Sequence, residues 1–123
     1  MSDAKEYVVQ PVEKGTVNIS EEVVAAIAAL AISEVDGVYG LSSSFTADLK
    51  EMLGKKNMSK GVKLTMEEET VAIECFVVVT YGFEIPAVAA NIQEAVANAV
   101  ESMAGLKVSA VNVDVCGISA AKN

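Results

Sequence analysis

The chain contains no histidine, no arginine and no tryptophan, and only two cysteines and two prolines. Each shortage closes off a class of function. Without histidine, a general base working near neutral pH has to be a buried carboxylate or lysine, held in an environment built for the shift. Without arginine, the planar fork that grips phosphate or carboxylate at two points is missing. Cys75 and Cys116 lie far apart, follow no C-x-x-C spacing and have no histidine to complete a zinc or iron–sulfur set. Neither a metal nor another cofactor is therefore expected, and both cysteines read as reduced core thiols. The longest aliphatic run, Val23 to Ile32, falls well short of the ~20 residues a membrane-spanning helix needs. With no basic, apolar leader at the N terminus, a soluble cytoplasmic protein is expected.

What is present describes one compact unit. A length of 123 residues with 52% hydrophobic content suits a single core without staples. The formal net charge of −8 repels a phosphate backbone, so nucleic acid is not an expected partner. Five of the nine lysines, Lys50, Lys55, Lys56, Lys60 and Lys63, gather within one short stretch. Such a run ordinarily keeps a loop soluble; its sharper reading is a docking patch for an acidic partner or an anionic surface.

Residues 1–14 show no sustained periodicity and read as a loose lead-in, with a short edge strand at most over Tyr7 to Val9. Gly15 to Ile19 alternates as a half-buried strand does. Ser20 then supplies a helix cap, Glu21 and Glu22 place negative charge at the positive end of the helix dipole, and Ile19 can staple to Val24. The helix runs to about Val35 and stops at Gly37. It has no polar face: Val23, Val24, Ile27, Leu30 and Ala31 form one stripe, and Ala25, Ala26, Ala29 and Ile32 occupy the opposite side. A helix apolar all round is covered on more than one side. The small second side is a candidate self-association surface, or else is covered by the N-terminal segment or the following loop.

Val38 to Ser44 reads as a turn, and the pair Gly37 and Gly40 is too few and too poorly placed for a phosphate cradle. Phe45 to Leu53 can form a short helix closed by Gly54. Val62 to Glu67 and Val71 to Tyr81 alternate and predict a hairpin across Glu67–Thr70, with Val71, Ile73, Cys75, Val77, Val79 and Tyr81 on one face. Glu74, an acid inside the long β-run, is a candidate general base, although a structural charge pair is the simpler account. Pro86 opens a second helix with Val88, Ile92, Val96, Ala99 and Met103 on its apolar stripe, and Gly105 ends it. Val111, Val113 and Val115 alternate in the last strand. The order β-α-(α)-β-β-α-β predicts an α+β fold: an antiparallel or mixed sheet with helices mainly on one face, of the split βαβ or ferredoxin-like kind. Residues 15–118 form this domain, and residues 119–123 form a tail.

Several blocks, in order, resemble the alkaline shock protein family, the Gls-type envelope stress response proteins of Gram-positive bacteria. They are Gly15-x-Val17-x-Ile19-Ser20-x-Glu22-Val23, Ser33-Glu34-Val35-Asp36-Gly37-Val38, Lys60-Gly61-Val62, Val78-Val79-Thr80-Tyr81-Gly82-x-x-Ile85-Pro86-x-Val88-Ala89 and Val111-Asn112-Val113-x-Val115-x-Gly117-Ile118. The resemblance covers about residues 15–118 and is closest to the short cytosolic branch, since extended charged tails are lacking. It implies a non-catalytic cytoplasmic protein that self-associates or binds membrane-anchored relatives and helps the cell tolerate envelope or alkaline stress, with a loose association to envelope lipid metabolism. It brings no catalytic residues. Three readings follow: a scaffold acting as a homo-oligomer, a small-molecule or lipid-binding module with a pocket lined by Ile27, Leu30, Phe76 and Met103, and a regulator docking on an acidic enzyme through the lysines.

Overall fold

The structure is a computed structural model that describes residues 7–42, 58–59 and 61–120. Nine elements follow one another through these residues. They are β1 (Tyr7–Val12), β2 (Gly15–Ser20), α1 (Glu21–Ser33), β3 (Val38–Leu41), β4 (Met58–Ser59), β5 (Val62–Met66), β6 (Thr70–Thr80), α2 (Ile85–Ala104) and β7 (Lys107–Ser119). The short helix expected over Phe45 to Leu53 lies outside the described residues.

β6 organises the main sheet. Along one edge it pairs in parallel with β7 from Thr70↔Lys107 to Thr80↔Ser119. Its other edge is shared end to end. β5 pairs antiparallel with residues 71–75, and β3 pairs antiparallel with residues 77–79. The sheet is therefore mixed, and the βαβ crossover through α2 joins strands that are direct neighbours. Val71, Ile73, Cys75, Val77 and Val79 all point to one face of β6 and are fully buried. Against them pack Val62 and Leu64 of β5, the core stripe of α1 and the stripe Val88, Ile92, Val96, Val100 and Ala104 of α2. Two helices on one face of a mixed sheet is the ferredoxin-like, α+β arrangement expected from the sequence.

Local chemistry explains the helix boundaries. Ser20, in extended conformation, accepts from the Val23 N–H at 3.2 Å and opens α1. In α2 the proline sits in the first turn, where its missing donor costs nothing. Gly105 closes α2 with φ +72, and its N–H bonds the Glu101 carbonyl.

Three parts of the sequence reading are corrected. Over Tyr7–Lys14 the lead-in is ordered: β1 and β2 form a separate antiparallel hairpin, with Tyr7 opposite Ser20 and Val12 opposite Gly15. Pro11 is compatible with β1 because neither strand of this two-stranded sheet has a second neighbour to supply with a donor. Val38–Leu41 is a strand, not a turn, since β6 runs past the end of β5 and leaves an edge for it. β6 stops at Thr80, so Tyr81 leaves the alternation and is 75% exposed.

Candidate interaction groove

The two helices meet side by side and leave an open groove of ≈ 560 Å³ between them. From α1 and the turn after it come Ile27, Leu30, Ala31, Glu34 and Val35; from α2 come Ala95, Asn98, Ala99, Ser102 and Met103. Leu30 is 68% exposed and Met103 is 70% exposed, so the two longest apolar side chains of the groove stand in water. Val23, at the same helical spacing before Ile27 and Leu30, continues this flank along α1 and is 48% exposed. The groove is apolar with a polar margin from Glu34, Asn98 and Ser102.

The sequence placed the two sides of α1 differently. Ala25 and Ile32, named as half of the candidate self-association surface, lie in the core at 3% and 0% exposure. Ala26 is exposed and Ala29 is half-buried against the core. The inward stripe is Val24, Ala25, Ala28 and Ile32, at 3-4 spacing. Alanines on that side let the helix backbone lie close to its neighbours, which leaves the bulkier Val23, Ile27 and Leu30 on the outer flank. No polar residue marks the outward face, so the periodicity of this segment could not separate the two.

The pocket expected between helices and sheet takes a different form. Ile27, Leu30 and Met103 line the groove, but Phe76 sits on β6 between the core residues Cys75 and Val77, on the opposite face of the sheet, and is 4% exposed there. Met103, expected on the buried stripe of α2, belongs to its outer flank, and Val100 and Ala104 take the buried places. Of the lysine patch, Lys50, Lys55, Lys56 and Lys60 lie outside the described residues. Lys63 is half-buried on β5, opposite Glu74.

Two further candidates have defined environments. Glu74 hydrogen-bonds the Asp114 carboxyl, and that bond, then burial, then the charge of Asp114 raise its pKa, while the charge of Lys63 lowers it. It is thus one member of a carboxyl pair between strands. Cys75 is buried, donates from Sγ to the Asn112 carbonyl at 3.5 Å, and has its pKa pushed up to about 12, first by burial and then by Asp114 and Glu74. Cys116, also expected in the core, is exposed on β7. Among the described residues no group of three or more cysteine, aspartate or glutamate side chains is placed to hold a metal ion, and no helix is long and apolar enough to cross a membrane.

The fold and the groove define a small α+β domain with paired helices on a mixed sheet. The chain belongs to the alkaline shock protein 23 family, described by a cell envelope-related function, whose profile matches residues 9–120. It is 38% identical over 104 residues to the uncharacterized protein YqhY of Bacillus subtilis, covering 85% of this chain and 77% of that protein. To the uncharacterized protein YloU of the same organism it is 37% identical over 106 residues, covering 85% of this chain and 88% of that one. A stress response regulator gls24 homolog of Streptococcus pyogenes is 30% identical over 106 residues, which are 85% of this chain but 59% of that longer protein. Among solved structures, the MamM CTD superposes with a TM-score of 0.48 and 18% identity, over 82% of this chain and 95% of that one.

Proposed function

We propose that this protein serves the cell envelope-related function of its family as a non-catalytic cytoplasmic interaction protein, and that the α1–α2 groove is where it binds a second copy of itself. One observation carries the reading: Leu30 and Met103 face each other across an apolar groove while remaining more than two-thirds exposed. Burying either side chain is worth roughly 1.5–3 kcal/mol, which favours an arrangement that covers both. A two-fold pairing of the α1 flank places Val23, Ile27 and Leu30 of one copy into the groove of the other, each copy giving and receiving the same surface. Membrane-anchored relatives that carry the same groove would compete for the same contact. That the relatives include proteins named as stress response regulators supports placing this activity in the response to envelope stress.

The test is capture of a tagged copy by an untagged one, with Leu30→Glu and Met103→Glu as the disrupting variants. Either substitution should abolish capture and leave the fold intact, since both side chains stand outside the core. Capture that survives both substitutions rejects the groove as the contact.

A second reading has its own support. A volume of ≈ 560 Å³ falls in the range that holds a small apolar molecule, including part of a lipid chain. Native mass spectrometry of the freshly purified protein separates the two, by the mass of a retained ligand or by the mass of a second chain. Docking on an acidic enzyme through the lysines is a third proposal, tested by charge reversal at Lys55, Lys56 and Lys60.

A further inference from the structure

The face of the sheet turned away from the helices carries a charge cluster that the groove does not use. Ala72, Glu74, Phe76 and Val78 alternate with the buried residues of β6 and share this face. Lys63 on β5 stands directly opposite Glu74. On the other side, β7 places Asn112 opposite Glu74 and Asp114 opposite Phe76, so Asp114 is the diagonal neighbour of Glu74. Glu74 therefore sits between a cation on one adjoining strand and a carboxylate on the other.

Asp114 Oδ2 is buried and, among the described residues, meets no standing hydrogen-bond donor. Glu74, its diagonal neighbour on β6, is the carboxyl placed to supply that donor when protonated. Two ionised carboxylates can only accept, so a bond between them requires a proton on one of the pair. Of the other charges nearby, Glu67 Oε1 is engaged by the Thr70 and Ser109 hydroxyls, and Lys107 lies opposite Thr70, four positions before Glu74. The adjacent Cys75 points to the helix side and stays a neutral thiol. Lys63 and Asp114 are thus the two partners that compete for Glu74.

We propose that Glu74 is a proton-operated clasp with two positions: protonated, it donates to Asp114 and ties β6 to β7; ionised, it turns to Lys63 and ties β6 to β5. Loss of the proton adds one negative charge to this face, while the helix-side core does not change. The pKa of Glu74 in the fold is raised, so the β6–β7 bond is fully present below the unfolded value of 4.5 and is lost as pH rises through the folded value.

The test is a pH titration of the Glu74 side-chain carboxyl by carbon-13 NMR on glutamate-labelled protein, assigned by its disappearance in Glu74→Gln. The expected midpoint lies above 4.5 in the unmodified chain, moves down in Asp114→Asn, which removes the repelling charge, and moves up in Lys63→Met, which removes the competing cation. A midpoint at or below 4.5, or no movement in either variant, overturns the clasp. Thermal melting gives a second reading if a variant folds poorly. Glu74→Gln keeps a donor for Asp114 at every pH, so its melting temperature should match that of the unmodified chain in acid and separate from it above the midpoint. A difference that does not depend on pH contradicts the proposal.

Discussion

The side-chain amide of Gln10 donates to the main-chain carbonyl of Ala104 at 2.9 Å, joining the N-terminal hairpin to the last turn of α2. The last carbonyls of a helix have no partner within it, so this bond satisfies one of them with a donor 94 residues away. Val8 and Ile19 pack against the core beside it.

Gln10→Ala should release this latch at a cost of about 1 kcal/mol, the net worth of one hydrogen bond. Hydrogen exchange read residue by residue should show faster exchange in β1 and β2 and unchanged protection in β6. Equal acceleration in both would mean that the hairpin folds as part of the main sheet.

Gly37 admits no side chain. Its φ is +95, and an added Cβ would lie 2.7 Å from Val88 Cγ2 and 2.8 Å from Phe83 Cδ2. Gly37→Ala should cost roughly 2–4 kcal/mol, backbone strain and overpacking together. Gly40→Ala is the control: nothing lies within 4 Å of its added Cβ, and an effect within ~0.5 kcal/mol is expected by denaturant unfolding.

The two thiols should differ sharply in reactivity. Cys116 is exposed, whereas Cys75 is fully buried with its pKa pushed up to about 12, so at pH 8 it is a protonated thiol without access. Ellman's reagent should titrate one thiol per native chain and two in denaturant. Two fast native thiols would contradict the placement of Cys75.

Core truncation should be far more costly than loss of the latch. Ile92 is fully buried on the inner stripe of α2, and Ile92→Ala should destabilise by about 2–5 kcal/mol in the same unfolding measurement. A loss below ~1 kcal/mol would mean that α2 does not rest on the sheet through this stripe.

The sequence was most readable where local chemistry and tertiary contacts agree. α2 carries a proline in its first turn, a glycine after its end and polar residues along its outer side, so its limits and most of its buried stripe could be read directly. The alternation of β6 from Val71 to Val79 named its core residues, and the exposed glutamates at 67–69 marked the hairpin tip. What escaped depends on distant residues. β3 is a strand because β6 outruns β5, and nothing within Val38–Leu41 states that. β1 contains a proline and becomes ordered through β2 and through Ala104 of α2. On α1 the alanines hid the inner side, because a small residue fits a close helix contact and an exposed surface alike. The groove was therefore legible in its members Ile27, Leu30 and Met103, but not as an outward-facing feature.

Sedimentation equilibrium over micromolar to hundreds of micromolar protein tests the central claim most directly. The unmodified chain should show a weight-average mass rising from 12.8 kDa toward twice that value with concentration, and Leu30→Glu should remain at 12.8 kDa throughout. A mass that stays at 12.8 kDa for the unmodified chain across the whole range, or association undiminished in Leu30→Glu, would contradict the account.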